Sequence, residues 1–177
     1  MKRESHDQET GALARYNEMR DFGVTDEPAG AVARTKSGRE FVVQKHDATA
    51  LHYDLRLELD GVMLSWAVPK GPSLNPHDKR LAMQTEDHPL DYRTFEGTIP
   101  EGQYGGGPVI VWYRGTWDAH YDPHHRMKRV RLHFSLEGEK LHWNAAVHGI
   151  ADLSVYQQAA LMREGWAGLH QFQAVEP

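Results

Sequence analysis

The chain has 177 residues, a formal net charge of -5, 12 histidines and no cysteine. This length suits one domain with a buried core, and the lack of cysteine excludes disulfides and thiolate zinc sites. No run reaches the roughly 20 apolar residues that a membrane helix needs, and the first residues resemble no secretory signal. We therefore expect a soluble, cytoplasmic protein, and the many histidines favour metal or phosphate chemistry.

The first segment of the chain, residues 1–36, is polar and contains Asp-Glu-Pro-Ala-Gly at 26–30. This pattern predicts an N-terminal arm with a short helix over residues 10–20. From residue 41 to about 136, short β-prone runs alternate with turn signals containing Gly and Pro, which indicates a barrel or sandwich. We expect a barrel domain over residues 37–141.

The last segment, residues 142–177, has a different composition, rich in Ala and Gln. Residues 151–163 have a weakly helical pattern. This segment is predicted to be a divergent tail, weakly helical or without regular structure.

One hairpin can be predicted residue by residue, because polar and apolar residues alternate strictly over 52–60. Alternate side chains of a strand lie on opposite faces, so the polar face carries His52, Asp54, Arg56 and Glu58. Asp60-Gly61 is a two-residue turn signal. In the register of that turn, the facing pairs are Leu59 and Val62, Leu57 and Leu64, Leu55 and Trp66, Tyr53 and Val68, Arg56 and Ser65, and Asp54 and Ala67. The small residues opposite the polar row leave room for a ligand.

A metal site is predicted on this polar face. His52 and Asp54 are two residues apart on one strand, so both can reach one ion, and a bend can bring in His46 as a third ligand. Two imidazoles and one carboxylate suit transition metals such as Mn, Fe, Co, Ni or Zn better than Ca or Mg. His-x-Asp alone is also compatible with an ordinary structural pair.

Candidate phosphate ligands follow the metal residues along the chain. Arg56 lies one strand repeat beyond Asp54, and arginine binds phosphate through two parallel hydrogen bonds; it can equally form an ion pair with Glu58. Further candidates, each with a structural alternative such as a core position, are Lys70, Arg80, His88 and Tyr92. The Gly-rich run 102–107 lacks the Lys-Ser/Thr ending of a P-loop, so we predict a tight turn there.

Six sequence blocks carry a family resemblance: 41–47 (FVVQKHD), 51–58 (LHYDLRLE), 65–73 (SWAVPKGPS), 86–92 (EDHPLDY), 95–97 (FEG) and 99–102 (IPEG). These blocks strongly resemble the 3′-phosphoesterase domain of bacterial DNA ligase D, over roughly residues 10–140. The resemblance implies a mostly β fold, a small closed β-barrel of about eight antiparallel strands. It also implies a groove-like active site and short helices in the arm and tail.

The resemblance further implies a function in non-homologous end joining. Members of the family are manganese-dependent enzymes that remove a 3′-terminal ribonucleoside from DNA and then the remaining 3′-phosphate, leaving a 3′-hydroxyl. Other transition metals, such as Co²⁺ or Zn²⁺, are compatible with the same ligands. DNA 3′ ends of a primer-template would be the substrate of a monomeric protein, and Ku and a separate ligase or polymerase would be its partners.

Site residues follow from the resemblance, position by position. His46, His52 and Asp54 correspond to metal ligands. Residues corresponding to groups that hold the phosphate, or that lie beside it, are Arg56, Arg80, His88, Tyr92 and Lys70. In the arm, Arg20, Asp21 and Glu27 correspond to groups that assist removal of the ribonucleoside, so the arm should partly dock on the barrel.

The chain departs from the family pattern in two places. Trp112-Tyr113-Arg114-Gly115 replaces the usual Trp-Asp-x-Gly, and the closing Gly-x-Trp-x-Leu-Val-Arg strand is replaced at 142–147. The sequence also lacks polymerase and ligase domains, so we expect a stand-alone version of the domain.

Two other functions remain alternatives. His52 and Asp54, with His120 or His125, would supply the ligand set of an Fe(II)-dependent oxygenase on a β-barrel. A non-catalytic module that binds DNA ends is the other alternative. Manganese-dependent phosphate release would exclude both.

Overall fold

The computed structural model describes residues 11–33, 38–75, 77–123, 131–139, 142–149 and 168–175. In these residues the protein is mostly β, with ten strands, one short α-helix and one short 3-10 helix. The strands are β1 (Glu40–Asp47), β2 (Leu51–Leu59), β3 (Val62–Val68), β4 (Arg80–Gln84), β5 (His88–Pro89), β6 (Gly97–Ile99), β7 (Gly107–Ala119), β8 (Arg131–Gly138), β9 (His142–Gly149) and β10 (Gly168–Val175). Helix α1 spans Ala14–Glu18, and the 3-10 helix spans Leu90–Thr94.

The strands form one sheet in the order β1-β2-β3-β4-β10-β9-β8-β7-β6, with β5 paired to β3. An additional antiparallel pairing joins β1 to β7. The described part of the chain therefore contains a closed ring of eight antiparallel strands, with β5 and β6 outside it. The predicted mostly β, barrel-like fold of about eight strands is confirmed.

The hairpin of β2 and β3 has the register that its sequence predicts. All six predicted pairs are present, from Tyr53 opposite Val68 to Leu59 opposite Val62. Asp60 and Gly61 both have positive φ, at 52° and 79°, as a two-residue turn of type I′ requires. The turn therefore fixes which face of β2 carries the polar row.

The main hydrophobic core lies inside the ring and receives side chains from all eight ring strands. On β2, Leu55 and Leu57 belong to this core and are fully buried. Asp54 and Arg56, which alternate with them, therefore lie on the outer face of the ring. This arrangement places the candidate site outside the apolar core.

The described part of the N-terminal arm, residues 11–33, packs on that outer face. Leu13 and Tyr16, at the start of α1 and within it, form a second hydrophobic cluster with Val62 and Tyr92. Further along, the amide of Ala33 donates a hydrogen bond of 3.1 Å to the carbonyl oxygen of Gly61. A Cβ at Gly61 would lie 2.2 Å from the carbonyl oxygen of Ala33, so this approach requires glycine. The division into arm, barrel and tail stays a prediction.

Within the predicted tail, residues 142–149 and 168–175 form β9 and β10 and complete the ring, in place of the weakly helical or irregular structure that was expected. On β9, Ala145, Ala146 and Val147 are all buried, so both faces of the strand are covered and the polar–apolar alternation is lost. Alanine also has a weak preference for strands. The helical pattern predicted over 151–163 lies outside the described residues. Among the described helices, none has the length and apolar character needed to cross a membrane.

Candidate metal and phosphate site

Three candidate metal ligands meet at the end of the β1–β2 hairpin. His46 lies directly opposite His52 in the register of these strands, and Asp54 follows on the same face of β2. His46 Nδ1 and His52 Nε2 each lie 3.5 Å from a carboxylate oxygen of Asp54. One ligand atom from each residue lies within 4.8 Å of the others, so the group can hold a metal ion. The predicted bend is present at residues 48–50, between β1 and β2, and the pairing of these strands brings His46 into place.

Backbone carbonyl groups orient both imidazole rings. His46 Nε2 donates a hydrogen bond of 2.6 Å to the carbonyl oxygen of Gly105, and His52 Nδ1 donates one of 2.9 Å to that of Ala50. The other ring nitrogens, His46 Nδ1 and His52 Nε2, face Asp54. A metal-binding histidine usually donates its other ring nitrogen in this way, so the arrangement fits a metal ion.

Asp54 is buried on the outer face of the ring, next to Arg56. Burial would raise the pKa of the Asp54 carboxyl, but the charge of Arg56 and hydrogen bonds from His46 and His52 hold that pKa well below its ordinary value. The same pairing raises the pKa of His52, although burial alone would lower it. Asp54 is thus an ionised oxygen ligand at neutral pH.

Arg56 is held so that part of its guanidinium group stays available. Its Nε donates to Gln44 Oε1 at 2.8 Å, and one terminal nitrogen donates to Asp54 Oδ2 at 3.1 Å. The guanidinium carbon lies 4.7 Å from the ring centroid of Tyr92. The other terminal nitrogen, NH1, is buried and has no hydrogen-bond partner among the described residues. A buried donor without a partner is costly, and an anion in the cavity would satisfy it.

His88, on β5, is buried beside these groups and is neutral. Its Nδ1 donates 2.9 Å to the carbonyl oxygen of Glu86, and its Nε2 lies 3.3 Å from a nitrogen of Arg20. Burial, together with the charges of Arg56 and Arg20, holds the pKa of His88 well below its usual range. Its Nε2 is therefore a hydrogen-bond acceptor in this arrangement.

Arg20 joins the arm to the sheet through a buried network. Its Nε donates to Glu27 Oε1 at 2.9 Å, and NH1 donates to Glu86 Oε1 at 3.1 Å. Tyr92 completes the network, since its hydroxyl donates 2.8 Å to the same oxygen of Glu27. Burial raises the pKa of Tyr92 well above its usual value, so the phenol remains a donor. Arg20, Tyr92 and the buried Glu27 are thereby connected.

These groups surround a cavity of about 360 Å³. This size falls in the range of small-molecule sites, about 300–1,000 Å³. Its lining includes Glu86, Tyr104 and seven of the residues predicted for the site, namely Arg20, His46, His52, Asp54, Arg56, His88 and Tyr92. The structure therefore brings the metal and phosphate candidates together.

Other predicted site residues lie outside the cavity lining. Arg80 pairs with Asp78 at 3.0 Å, and strand alternation places it on the same side of β4 as Ala82, which is in the ring interior. Lys70 is exposed after the end of β3, and Asp21 is exposed, with its carboxylate accepting a hydrogen bond from the Gly23 amide. Roles for Arg80, Lys70 and Asp21 stay predictions.

The alternative oxygenase ligand set is not assembled by the described residues. His120 is exposed just after the far end of β7, and its Nε2 lies 2.7 Å from Ser135 Oγ. His120 is not among the residues that form the group of His46, His52 and Asp54. His125 lies outside the described residues.

Comparison with known proteins shows the relationship of the chain. The family model of the DNA Ligase D 3′-phosphoesterase domain matches residues 44–148, a stretch that includes β2 to β8 and most of β9. The chain belongs to this family. The metal-ligand group and Arg56 all lie within the matched residues. The resemblance predicted from the sequence blocks is confirmed.

Curated relatives of this phosphoesterase-domain chain are longer proteins. The multifunctional non-homologous end joining protein LigD of Pseudomonas aeruginosa is 57% identical over 131 residues, or 73% of this chain. The corresponding DNA repair protein of Mycobacterium tuberculosis is 52% identical over 125 residues, or 68% of this chain. The chain spans about 16% of the length of each of these two relatives.

The charge balance of the phosphoesterase-domain cavity indicates what a metal ion would contribute there. Histidines apart, the charged side chains among the described lining residues are two arginines and two carboxylates, namely Arg20, Arg56, Asp54 and Glu86. Their formal charges cancel, so a phosphate ester would meet no net positive charge. A divalent ion at the three ligands would supply the positive charge that phosphate binding needs.

Three residues of this phosphoesterase-domain site were missed in the sequence analysis. Gln44 is fully buried opposite Asp54 and holds Arg56, and its amide group donates to the carbonyl oxygens of Tyr92 and Phe95. The available signal was that the polar Gln44 directly follows the apolar run 41–43. Glu86 begins the family block 86–92, but its contact with Arg20 depends on the fold, and Tyr104 carried no local signal.

Proposed function

We propose that the chain heals DNA 3′ ends in non-homologous end joining. It removes a 3′-terminal ribonucleoside to leave a 3′-phosphate, and then removes that phosphate to leave a 3′-hydroxyl. One observation carries the proposal: a three-residue metal-ligand group adjoins an arginine with an unpaired buried N–H and a buried neutral histidine. Family membership supports the same chemistry.

The metal in this proposal is Mn²⁺, with Co²⁺ or Zn²⁺ as other ions that suit the ligands. His46, His52 and Asp54 would hold it. A bound divalent ion supplies neutralisation of phosphate charge and a Lewis acid for the attacking water.

Both proposed reactions are hydrolyses at phosphorus. In the first, water adds a hydroxyl to phosphorus, the bond to O5′ of the terminal ribonucleoside breaks, and O5′ takes up a proton. In the second, water again adds to phosphorus, the bond to O3′ breaks, and O3′ takes up a proton to become the 3′-hydroxyl. Arg56 would donate its free N–H to a phosphate oxygen as charge develops in the transition state.

His88 would act as a general base and then as a general acid in these steps. Its low pKa leaves Nε2 unprotonated in the substrate-free cavity, so it would accept a proton from the attacking water. Returning that proton to the leaving oxygen would complete the cycle. Arg20 and Glu27 would assist the first reaction by fixing the arm against the cavity.

The biological setting is inferred from the relatives, which are named as non-homologous end joining proteins. We propose a cytoplasmic monomer that acts on primer-template DNA ends. Ku and a separate ligase or polymerase would recruit it.

The decisive experiment uses two labelled primer-templates, one ending in a 3′-ribonucleotide and one in a 3′-phosphate. Each is incubated with the protein and Mn²⁺, with Mn²⁺ and excess chelator, and with iron, oxygen and a 2-oxo acid. We expect conversion of both ends with Mn²⁺ only. His52→Ala should abolish conversion, whereas the matched variant His120→Ala should retain it.

Three results would contradict the proposal. Conversion of neither end would remove the enzymatic function, and DNA binding that survives His52→Ala would then favour a non-catalytic end-binding module. Oxygen-dependent turnover lost in His120→Ala would favour the oxygenase. Conversion that resists the chelator would remove the metal from the mechanism.

A further inference from the structure

The Gly-rich turn at 102–107 places an aromatic ring at the edge of the cavity. The turn is closed by hydrogen bonds from the Gln103 amide to the Pro100 carbonyl and from the Gly106 amide to the Gln103 carbonyl. Gly105 has a φ of 72°, and a Cβ there would lie 3.2 Å from His46 Cε1. The turn is therefore fixed against a metal ligand, and Tyr104 projects from it into the cavity lining.

Tyr104 is unusual among the aromatic residues of the cavity because 42% of it is exposed, whereas Tyr92 is 2% exposed. The guanidinium carbon of Arg20 lies over the Tyr104 ring at 5.6 Å from its centroid. Arg20 lies closer to the buried Tyr16 ring, at 3.8 Å. Tyr104 thus has one side near a fixed cation and a large surface open to a ligand.

The rest of the cavity lining explains what kind of ligand that surface fits. Beyond the charged groups, the wall is formed by small or apolar side chains, including Ala48, Ala50, Ala67, Pro69 and Met83. Binding of a phosphate group does not require these apolar side chains. Apolar walls beside an exposed aromatic ring are suited to the flat, weakly polar face of a nucleobase.

We propose that Tyr104 stacks on the terminal nucleobase of the 3′ end whose phosphate lies at Arg56 and the metal ligands. This inference rests on the proposed function, because it takes a DNA 3′ end as the substrate. Stacking is tolerant of base identity, since every base has a π-face. Tyr104 would therefore position an end of any sequence.

The phenol hydroxyl offers an alternative role, as a donor to the phosphate. Burial and the charge of Glu86 raise the pKa of Tyr104 to about 12, so the hydroxyl stays protonated. Stacking and hydrogen bonding differ in what they require, because a phenylalanine ring stacks but donates no hydrogen bond. Substitutions at position 104 therefore separate the two roles.

The test combines variants of residue 104 with the presence or absence of the terminal base. Wild type, Tyr104→Ala, Tyr104→Phe and Tyr104→Trp are compared, with Tyr121→Ala as matched control, since Tyr121 is 59% exposed and does not line the cavity. The substrates are one 3′-phosphate oligonucleotide with an ordinary terminal nucleotide and one with a terminal abasic residue, both with Mn²⁺. The measurements are kcat and KM.

Stacking on a base typically changes affinity by roughly 5- to 150-fold. We therefore expect Tyr104→Ala to raise KM for the ordinary end by about tenfold, with little change in kcat. On the abasic end, Tyr104→Ala should match wild type, because the stacking partner is absent. Tyr104→Phe, Tyr104→Trp and Tyr121→Ala should match wild type on the ordinary end.

Three outcomes would overturn the proposal: an unchanged KM in Tyr104→Ala, an equal loss on both substrates, or a Tyr104→Phe variant as impaired as Tyr104→Ala. Fluorescence anisotropy with the corresponding 3′-hydroxyl oligonucleotides measures Kd for the same variants and both terminal nucleotides without turnover. If wild type releases no phosphate, the proposed function fails. The binding data still decide whether Tyr104 contacts the base, since only a Kd difference that depends on the terminal base supports it.

Discussion

The β1–β2 hairpin and the N-terminal arm both line the cavity, but different interactions hold them there. The hairpin places His46, His52 and Asp54 through the pairing of adjacent strands, and two backbone carbonyls orient the imidazoles. The arm is held by a buried ion-pair network in which Arg20 reaches Glu86, 66 residues away. Backbone pairing depends on local register, whereas the arm depends on a few charged side chains.

The histidine of the hairpin and the histidine of β5, which lies beside the arm, also have opposite electrostatic surroundings. His52 faces the carboxylate of Asp54, which raises its pKa. His88 lies between Arg20 and Arg56, which together with burial lower its pKa. The hairpin is therefore suited to bind a cation, and the region beside the arm is suited to act on an anionic ester. We expect substitutions in the two regions to have different consequences.

The largest effect is expected from Arg20→Ala, which breaks the network of the arm. Its removal leaves Glu27 and Glu86 with buried charges, and breaking such a buried pair costs about 3–5 kcal/mol. Hydrogen exchange of amides in residues 11–33 should accelerate, while those of β2 keep their protection. Arg93→Ala is the control, because the partly exposed pair of Arg93 with Glu40 contributes only about 0–1 kcal/mol. Equal effects of the two variants would contradict the role of the network.

In the hairpin, His52→Ala should lower the affinity for Mn²⁺ rather than the free energy of unfolding. We expect the affinity to fall by more than about 100-fold, because residues that only orient a ligand already contribute about 10- to 100-fold. Isothermal titration calorimetry with Mn²⁺ measures this, with His120→Ala as the control. If His52→Ala keeps the wild-type affinity for Mn²⁺, His52 is not a metal ligand.

A smaller effect is expected from Tyr92→Phe, which removes one hydrogen bond to the arm. Glu27 keeps Arg20 and Thr25 as partners, so we expect a loss of about 1.5 kcal/mol in the free energy of unfolding, the lower end for bonds to charged groups. Urea unfolding measures the change, and Tyr121→Phe serves as the exposed control. If Tyr92→Phe lowers the free energy of unfolding no more than Tyr121→Phe does, the Tyr92 hydroxyl does not help to hold the arm.

The smallest effect is a pH dependence of opposite sign for the two histidines in metal-free protein. His88 has a lowered pKa, so it binds fewer protons folded than unfolded; its contribution to stability is present above its ordinary pKa of 6.5 and is lost as the pH falls. His52 has a raised pKa, so its contribution is present below 6.5 and is lost as the pH rises through the folded value.

Urea unfolding of wild type, His88→Asn and His52→Asn between pH 5 and pH 8 checks these signs. The stability difference between wild type and His88→Asn should grow with pH, and the difference for His52→Asn should shrink. Parallel curves for both variants would show that the two environments are equivalent.

The hairpin was predictable because its signals are local. Strict alternation over 52–60 and the Asp60-Gly61 turn define the register that the structure shows. His52, Asp54 and Arg56 therefore share a face by backbone geometry alone. A bend was predicted to bring His46 to the same site, and its place opposite His52 follows from the short turn between β1 and β2.

The remainder depended on contacts between distant parts of the chain. Gln44 and Glu86 enter the site only because the sheet and the arm bring them to Arg56 and Arg20. Strand β9 was missed because burial of both faces removes the alternation that marks a strand. Conversely, Arg80 pairs with Asp78 outside the cavity, which no local pattern indicated.

By itself, the sequence determined the family, the β-rich class and the placement of His52 and Asp54 on one strand face, because strand alternation and turn chemistry act within a few residues. Only the tertiary structure decided how the ring closes, how the arm covers its outer face and which charges surround each histidine. Protonation and orientation depend on burial and on charges from residues far apart in the chain. The candidate metal ligands of the hairpin were therefore visible in the sequence, whereas the neutral state of His88 and the position of Tyr104 were not.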